Sequence, residues 1–155
     1  ANSTSYVGKL IATKGSTTFT MSINAAPSSS PSSTFQYLYG EVANDLSTAD
    51  WQINKNDGGS NTILNGLYTM NATSGFESLE YTYTESGETE NFSTIEFNVL
   101  TSGDYDAAFY MSMSAGDVDV EWDTSSKAGR VKSFAAFSDT DWRCWNDVLA
   151  DAVCL

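Results

Sequence analysis

The sequence contains no histidine, and its 7 lysine and arginine residues stand against 20 aspartate and glutamate residues. Without an imidazole there is no Ser–His triad, no histidine general base and no histidine metal ligand. The net charge of −13 gives a surface that repels phosphate backbones and anionic lipid headgroups. We therefore expect no nucleic-acid partner, no membrane insertion, no metal and no cofactor.

Long apolar runs are also absent. No stretch approaches the roughly 18 consecutive apolar residues of a membrane-spanning helix. The first ten residues lack the basic and apolar segments of a signal peptide, so we expect a mature or trimmed form of an exported protein. The predicted location is therefore secreted or extracytoplasmic.

Cysteine occurs only twice, as Cys144 and Cys154. Two thiolates without further soft ligands do not make a structural zinc site, and a cysteine nucleophile would lack a histidine to activate it. In an exported protein we expect the pair to form a disulfide. Ten residues of continuous helix would hold the two Cα atoms roughly 15 Å apart, whereas a disulfide requires about 4.4–6.8 Å. The bridge therefore requires the chain to double back.

Both prolines of the chain lie in one segment, "AAPSSSPSS", at residues 25–33. Its small and polar residues predict a flexible loop. The residues that precede it are too few to fold alone, so we expect a single domain over residues 1–155 with this loop inside it.

Apolar residues make up 41 % of the chain and aromatic residues 13 %, which is enough for a folded β domain. Small–glycine pairs recur every 12 to 16 residues, and the segments between them alternate apolar and polar side chains, as in "LEYTYT" and "TIEFNVL". This alternation predicts half-buried antiparallel strands joined by short turns. We expect an all-β meander that closes as an up-and-down barrel, with a two-sheet β-sandwich as the alternative.

The end of the chain departs from this pattern. Apolar residues recur there at three- and four-residue spacing, at Trp142, Trp145, Val148, Leu149 and Ala152. That spacing predicts a short C-terminal helix that packs its two Trp rings against the β structure.

Large side chains on the predicted inner faces of the strands are the candidates for ligand binding: Tyr81, Tyr83, Phe97, Phe109 and Trp122. A barrel of about eight strands either fills with such side chains or encloses one small molecule. A filled core is the simpler alternative, and no residue is assigned a catalytic role.

The densest acidic stretch is "GDVDVEWD", Gly116–Asp123, where acids occupy every second position. Alternate positions on one strand do not converge on a cation, so the row predicts a solvent-facing strand surface. If Asp123 lies opposite Arg130, then Glu121 lies opposite Lys132, and Asp117 and Asp119 remain without a basic neighbour. The segment "NKNDGGSN", residues 54–61, resembles a calcium loop but lacks enough carboxylates, so we interpret it as a tight turn.

These features favour a non-catalytic extracytoplasmic domain that binds a small-molecule or protein ligand. One alternative is a small glycoside-active enzyme with two carboxylates in an aromatic cleft. The available acids are Glu80, Glu96 and the acidic row at residues 117–123, and Trp51 and Trp122 are available to stack on a sugar. The other alternative is a structural module of a surface assembly.

Overall fold

The computed structural model describes residues 4–57 and 60–154. They form one antiparallel sheet of twelve strands, in which each strand pairs with the next along the chain. The strands are β1 (Tyr6–Lys14), β2 (Thr18–Pro27), β3 (Phe35–Ala43), β4 (Thr48–Asn56), β5 (Ser60–Asn71), β6 (Phe76–Tyr83), β7 (Thr94–Val99), β8 (Ala107–Ser112), β9 (Val118–Trp122), β10 (Gly129–Ser133), β11 (Arg143–Trp145) and β12 (Asp151–Ala152). One helix, α1 (Phe134–Phe137), lies between β10 and β11.

The predicted antiparallel meander is confirmed, and four of the predicted glycine turns explain its connections. Gly75, Gly87, Gly103 and Gly116 have φ angles between 74° and 122°, a region that side chains with a Cβ rarely adopt. Each of these glycines lies between two consecutive strands. The chain can therefore reverse its direction within connections of four to ten residues and continue as the neighbouring strand.

The predicted closure into a barrel is not found in the described chain. β1 and β12 are the two ends of the strand order and do not pair with each other. The two-sheet alternative is not found either, because all the described strands belong to one sheet. β12 has two residues and β1 has nine, so the β12 edge offers little backbone with which to pair β1.

The C-terminal helix predicted over residues 142–152 is wrong. β11 and β12 form a short hairpin there, in which Cys144 lies opposite Ala152. Asn146 organises the turn: its side-chain oxygen accepts hydrogen bonds from the backbone N–H groups of Val148 and Ala150. Asn at such a position favours a turn over a helix, because its side chain competes for backbone donors.

The same hairpin confirms the predicted disulfide between Cys144 and Cys154, whose Cα atoms are 5.2 Å apart. The chain doubles back as the bridge requires. The observed helix, α1, is a single turn that begins after Ser133, whose hydroxyl accepts a hydrogen bond from the Ala136 N–H. Within residues 4–57 and 60–154, no helix is long and apolar enough to span a bilayer.

The proline-containing segment is only partly a loop. β2 continues through Pro27, so the first three residues of the predicted loop belong to a strand. Ala25 and Ala26 are in fact buried, at 8 % and 2 % exposure. The turns begin at Ser28, whose N–H and hydroxyl both donate to the Ser5 carbonyl. The small side chains of Ala25 and Ala26 allow the chain to pack closely at the end of β2.

Candidate binding surface

One face of the sheet is almost entirely apolar, and we call it the apolar face. The cross-strand register places one apolar side chain from each of nine successive strands in a continuous row. From β2 to β10 the row consists of Phe19, Val42, Ala49, Tyr68, Leu79, Phe97, Phe109, Val120 and Val131. Charged residues stand only at its two ends, because Lys14 lies opposite Phe19 and Arg143 lies opposite Val131.

The five aromatic residues predicted to bind a ligand all lie on this face. Phe97 and Phe109 are cross-strand partners with ring centroids 4.9 Å apart. Tyr81 occupies the next row of side chains and meets the Trp51 ring edge-on at 5.7 Å. Tyr83 and Trp122 lie further out, on opposite sides of these rows. The structure therefore brings three of the five close together, on an open surface and not around an enclosed cavity.

The apolar face has no second layer above it in the described chain. Ile95, Phe97 and Val99 alternate along β7 and are 37 %, 43 % and 44 % exposed. The solvent-accessible surface is 9913 Å². A compact protein of 16.8 kDa would expose about 7,650 Å², so this sheet exposes roughly 2,300 Å² more than a closed fold of its mass.

Buried apolar residues are correspondingly few. Within the described part of the chain, the apolar side chains that reach full burial are all alanines: Ala25, Ala26, Ala107 and Ala108. Larger apolar side chains are only partly covered, by neighbours in the same layer. A single sheet stabilises itself through such lateral contacts and leaves its faces available to a partner.

Two tryptophans cover glycines on the apolar face. Trp51 lies across Gly66 so closely that a Cβ at Gly66 would stand 2.2 Å from the ring. Trp145 lies across Gly129 in the same way, and a Cβ there would stand 2.4 Å from the indole. The Trp145 ring is held by its own N–H, which donates to the Lys127 carbonyl. Because glycine has no side chain, each large ring packs directly against the backbone of the sheet.

A groove of about 520 Å³ lies beside the apolar face, where two β-bulges occur side by side. Tyr37 in β3 and Ile63 in β5 have no opposing residue in the strand register, so each is the extra residue of a bulge. Asn54, which is 1 % exposed, joins the two: its amide donates to the Gln36 carbonyl, and its oxygen accepts from the Thr62 hydroxyl. The other side chains around the groove include Tyr6, Phe35 and Lys55.

The alternation of the sequence predicts the apolar row but gives no sign of this groove. A bulge inserts one residue into a strand without changing the residue types around it. Only the asparagine, an unusual residue at a strand interior, marks the position in the sequence.

The opposite face, which we call the polar face, carries most of the acidic side chains of the strands. Glu41 lies directly opposite Asp50, and Glu80 lies directly opposite Glu96. Like charges in these positions repel each other. These acids belong to one row of cross-strand neighbours on the polar face. The only base in that row is Lys132, whose ammonium is 2.7 Å from the Asp119 carboxylate.

The register predicted for "GDVDVEWD" is wrong by two residues. Arg130 lies opposite Glu121, with a guanidinium-to-carboxylate distance of 2.6 Å, and Lys132 lies opposite Asp119. Asp123 does not pair with Arg130 but accepts a hydrogen bond from the Ser126 N–H in the following turn, which lowers its pKa.

The prediction that Asp119 lacks a basic neighbour is therefore wrong. Its companion Asp117 accepts a hydrogen bond from the Ser112 hydroxyl. The register differs from the predicted one because the turn ends before Gly129, which belongs to β10 and lies under the Trp145 ring.

A network of polar and aromatic side chains lies on the polar face around Glu121. Tyr110 donates to one Glu121 oxygen at 3.1 Å, and Arg130 donates to the other at 2.8 Å. The Arg130 guanidinium also lies 4.3 Å from the Trp142 ring and 5.1 Å from the Tyr105 ring. Burial of the Tyr110 hydroxyl, together with its hydrogen bond to Glu121, raises the pKa of Tyr110 to about 12. Both Glu121 oxygens are engaged, so this carboxylate is a structural group.

No cluster of three acidic or cysteine side chains able to hold a metal occurs in the described part of the chain. Residues 58–59 of the calcium-like segment lie outside the described residues. Around them, Asp57 accepts a hydrogen bond from Asn61 and lies 3.6 Å from the Lys55 ammonium, which also pairs with Glu85. A lysine beside the carboxylate opposes the binding of a second cation.

The fold and its surfaces define a class of architecture: a single-layer antiparallel β-meander with one apolar and one polar face. Comparisons of the chain with protein-family descriptions, with curated proteins and with solved structures find no match. The chemistry of the two faces is therefore what indicates the function of this chain.

Proposed function

We propose that this chain is a non-catalytic, extracytoplasmic binding module that applies its apolar face to the apolar layer of a protein partner. The observation that carries the proposal is the uncovered row from Phe19 to Val131 on a sheet that is one layer thick. The disulfide between Cys144 and Cys154 supports a location of the protein in an oxidising compartment outside the cytoplasm.

The size of the uncovered surface favours a protein over a small molecule. The excess of roughly 2,300 Å² is larger than the approximately 800 Å² that each partner contributes to a standard protein interface. The excess is shared between the two faces and the edges of the sheet. An uncovered apolar face is what a helix pair or a second sheet covers in a closed two-layer domain.

An apolar small molecule in the groove is the second candidate, because its volume of about 520 Å³ lies in the usual range for ligand pockets. Its wall includes the aromatic rings of Tyr6, Phe35 and Tyr37. The Lys55 ammonium at the groove is already paired with Glu85, so the ligand that fits best is uncharged. The glycoside-active alternative receives less support. Glu80 and Glu96 lie on the polar face, whereas the Trp51 and Trp122 rings that would stack on a sugar lie on the apolar face.

The test uses Nile red, an uncharged dye that fluoresces on apolar surfaces, with the folded 155-residue chain. We expect the native chain to enhance the dye fluorescence and the double variant Phe97→Asn/Phe109→Asn to lose most of the enhancement. The matched control is Thr94→Asn/Ser112→Asn, a cross-strand pair on the polar face of the same two strands. Circular dichroism must show that both variants remain folded.

The outcomes separate the candidates. Equal enhancement by all three proteins, or none by the native chain, would contradict the proposed use of the apolar face. Loss of the enhancement in a Tyr37→Asn variant alone would favour the small-molecule groove, since Tyr37 lines it.

A further inference from the structure

The two edges of the sheet are built differently. β12 is two residues long and is held to the rest of the hairpin by the disulfide, so it offers little backbone to another strand. β1 is nine residues long, and every one of its side chains is exposed, including Leu10 at 61 %. A long open edge of this kind is a template for pairing with another strand.

Two hydrogen bonds at the ends of β1 show which of its backbone groups point away from the sheet. The Gly15 N–H donates to the Thr18 carbonyl, and the Ser28 N–H donates to the Ser5 carbonyl. Bonded and non-bonded positions alternate along an antiparallel pair, and the β1–β2 register has no bulge. The odd-numbered residues of β1 therefore bond to β2, and the even-numbered ones direct both backbone groups away from the sheet: Tyr6, Gly8, Leu10, Ala12 and Lys14.

We propose that two copies of this chain form a two-fold symmetric dimer by antiparallel pairing of their β1 strands, with Leu10 on the symmetry axis. In this register Leu10 faces Leu10 of the other copy, Gly8 faces Ala12, and Tyr6 faces Lys14. All five outward-directed residues of each copy then pair, which gives ten hydrogen bonds between the chains. Registers centred on Lys9 or Ile11 keep four of the five residues in paired positions, and registers centred on Gly8 or Ala12 keep three.

The side chains suit the same register. Gly8 and Ala12 flank the two central leucines and leave room for them on the apolar face. Tyr6 of each copy meets the Lys14 side chain of the other, where ring and ammonium attract each other. On the polar face Lys9 lies opposite Ile11, so its aliphatic stem covers an apolar side chain and no lysine opposes a lysine.

The symmetry also favours a second copy of this chain as the partner at the β1 edge. A two-fold axis perpendicular to the sheet keeps the apolar faces of both copies on the same side and closes the assembly at two chains. Only the short β12 edges remain open in the dimer. The pairing uses the edge and leaves the apolar face free, so it does not depend on the proposed function.

The first measurement is the mass of the 155-residue chain in solution by sedimentation at micromolar concentrations. We expect about twice 16.8 kDa. Leu10→Lys and Leu10→Glu each place like charges opposite one another on the axis, so each variant alone should dissociate at least tenfold more readily than the native chain. An equimolar mixture of the two should recover the dimer as a heterodimer.

Val148→Lys is the control for the change in net charge, because Val148 is exposed in the C-terminal turn, far along the chain from β1. A second experiment fixes the register. Leu10→Cys should cross-link two copies on oxidation, whereas Ala12→Cys on the same face should not, because Ala12 pairs with Gly8 of the other copy.

A native chain that remains monomeric, or a dimer that survives both Leu10 substitutions, overturns the proposal. A dimer that is lost in Phe97→Asn/Phe109→Asn but kept in Leu10→Lys would place the contact on the apolar face and would also contradict it. Equal cross-linking at positions 10 and 12 would contradict the register.

Discussion

The contact between Trp51 and Gly66 leads to a quantitative prediction about stability. A methyl group at Gly66 would lie 2.2–2.5 Å from three atoms of the indole, which no ordered side chain tolerates. Gly66→Ala must therefore displace the ring, which also contacts the edge of Tyr81. The neighbouring backbone cannot accommodate the methyl group without breaking the pairing of β4 and β5.

The expected loss combines three terms. Overpacking of this kind costs about 1–3 kcal/mol, and the lost aromatic contact costs about 0.5–1.5 kcal/mol. Alanine recovers about 0.4–1 kcal/mol because it restricts the unfolded chain more than glycine does. Gly66→Ala should therefore lower the free energy of unfolding by about 2 kcal/mol.

Urea unfolding followed by circular dichroism measures this change, and a double-mutant cycle isolates its cause. In a Trp51→Leu background the ring is gone, so Gly66→Ala should become neutral or should stabilise by up to about 1 kcal/mol. An equal cost of Gly66→Ala in both backgrounds would refute the argument.

Three further predictions concern the disulfide, the tyrosines and the acidic pair. Cys144→Ser/Cys154→Ser should lower the free energy of unfolding by about 3 kcal/mol, and a urea midpoint unmoved by reductant would contradict this. Absorbance titration should show Tyr83 and Tyr110 ionising near pH 12, and Glu121→Gln should lower the pKa of Tyr110 only partway, because burial remains its larger cause. The pKa of Tyr110 is raised on folding, so its contribution to stability is complete below about pH 10 and is lost as the pH rises towards 12. Glu80→Lys should stabilise the sheet by up to about 1 kcal/mol at low salt, since Glu80 faces Glu96, and an unchanged or lower urea midpoint would count against that interpretation.

Predictions from local periodicity were the most successful. Alternation along β6, β7 and β8 placed Tyr81, Phe97 and Phe109 on one face, because side chains in a strand point to opposite sides at every step. This rule requires no knowledge of distant residues. The glycine turns followed for the same reason, since a positive φ angle is a property of one residue.

The sequence-based predictions failed where the same residue type occurs in two different structural settings. Gly129 follows a small residue as the turn glycines do, yet it lies in a strand under the ring of Trp145, a residue 16 positions away. The tryptophans near the C-terminus have helical spacing, yet Asn146 and the disulfide make that segment a hairpin. Local spacing does not reveal which distant partner a residue will meet.

The strand class, the antiparallel order and the presence of one apolar and one polar face all follow from the sequence. These depend on side-chain period and turn chemistry, which act over a few residues. In the described chain, only the assembly of all the strands shows that the sheet is open and one layer thick, and that β1 has a neighbouring strand on one side alone. Those properties depend on whether the first and last strands can meet across the whole chain, and a two-residue β12 cannot pair with the full length of β1.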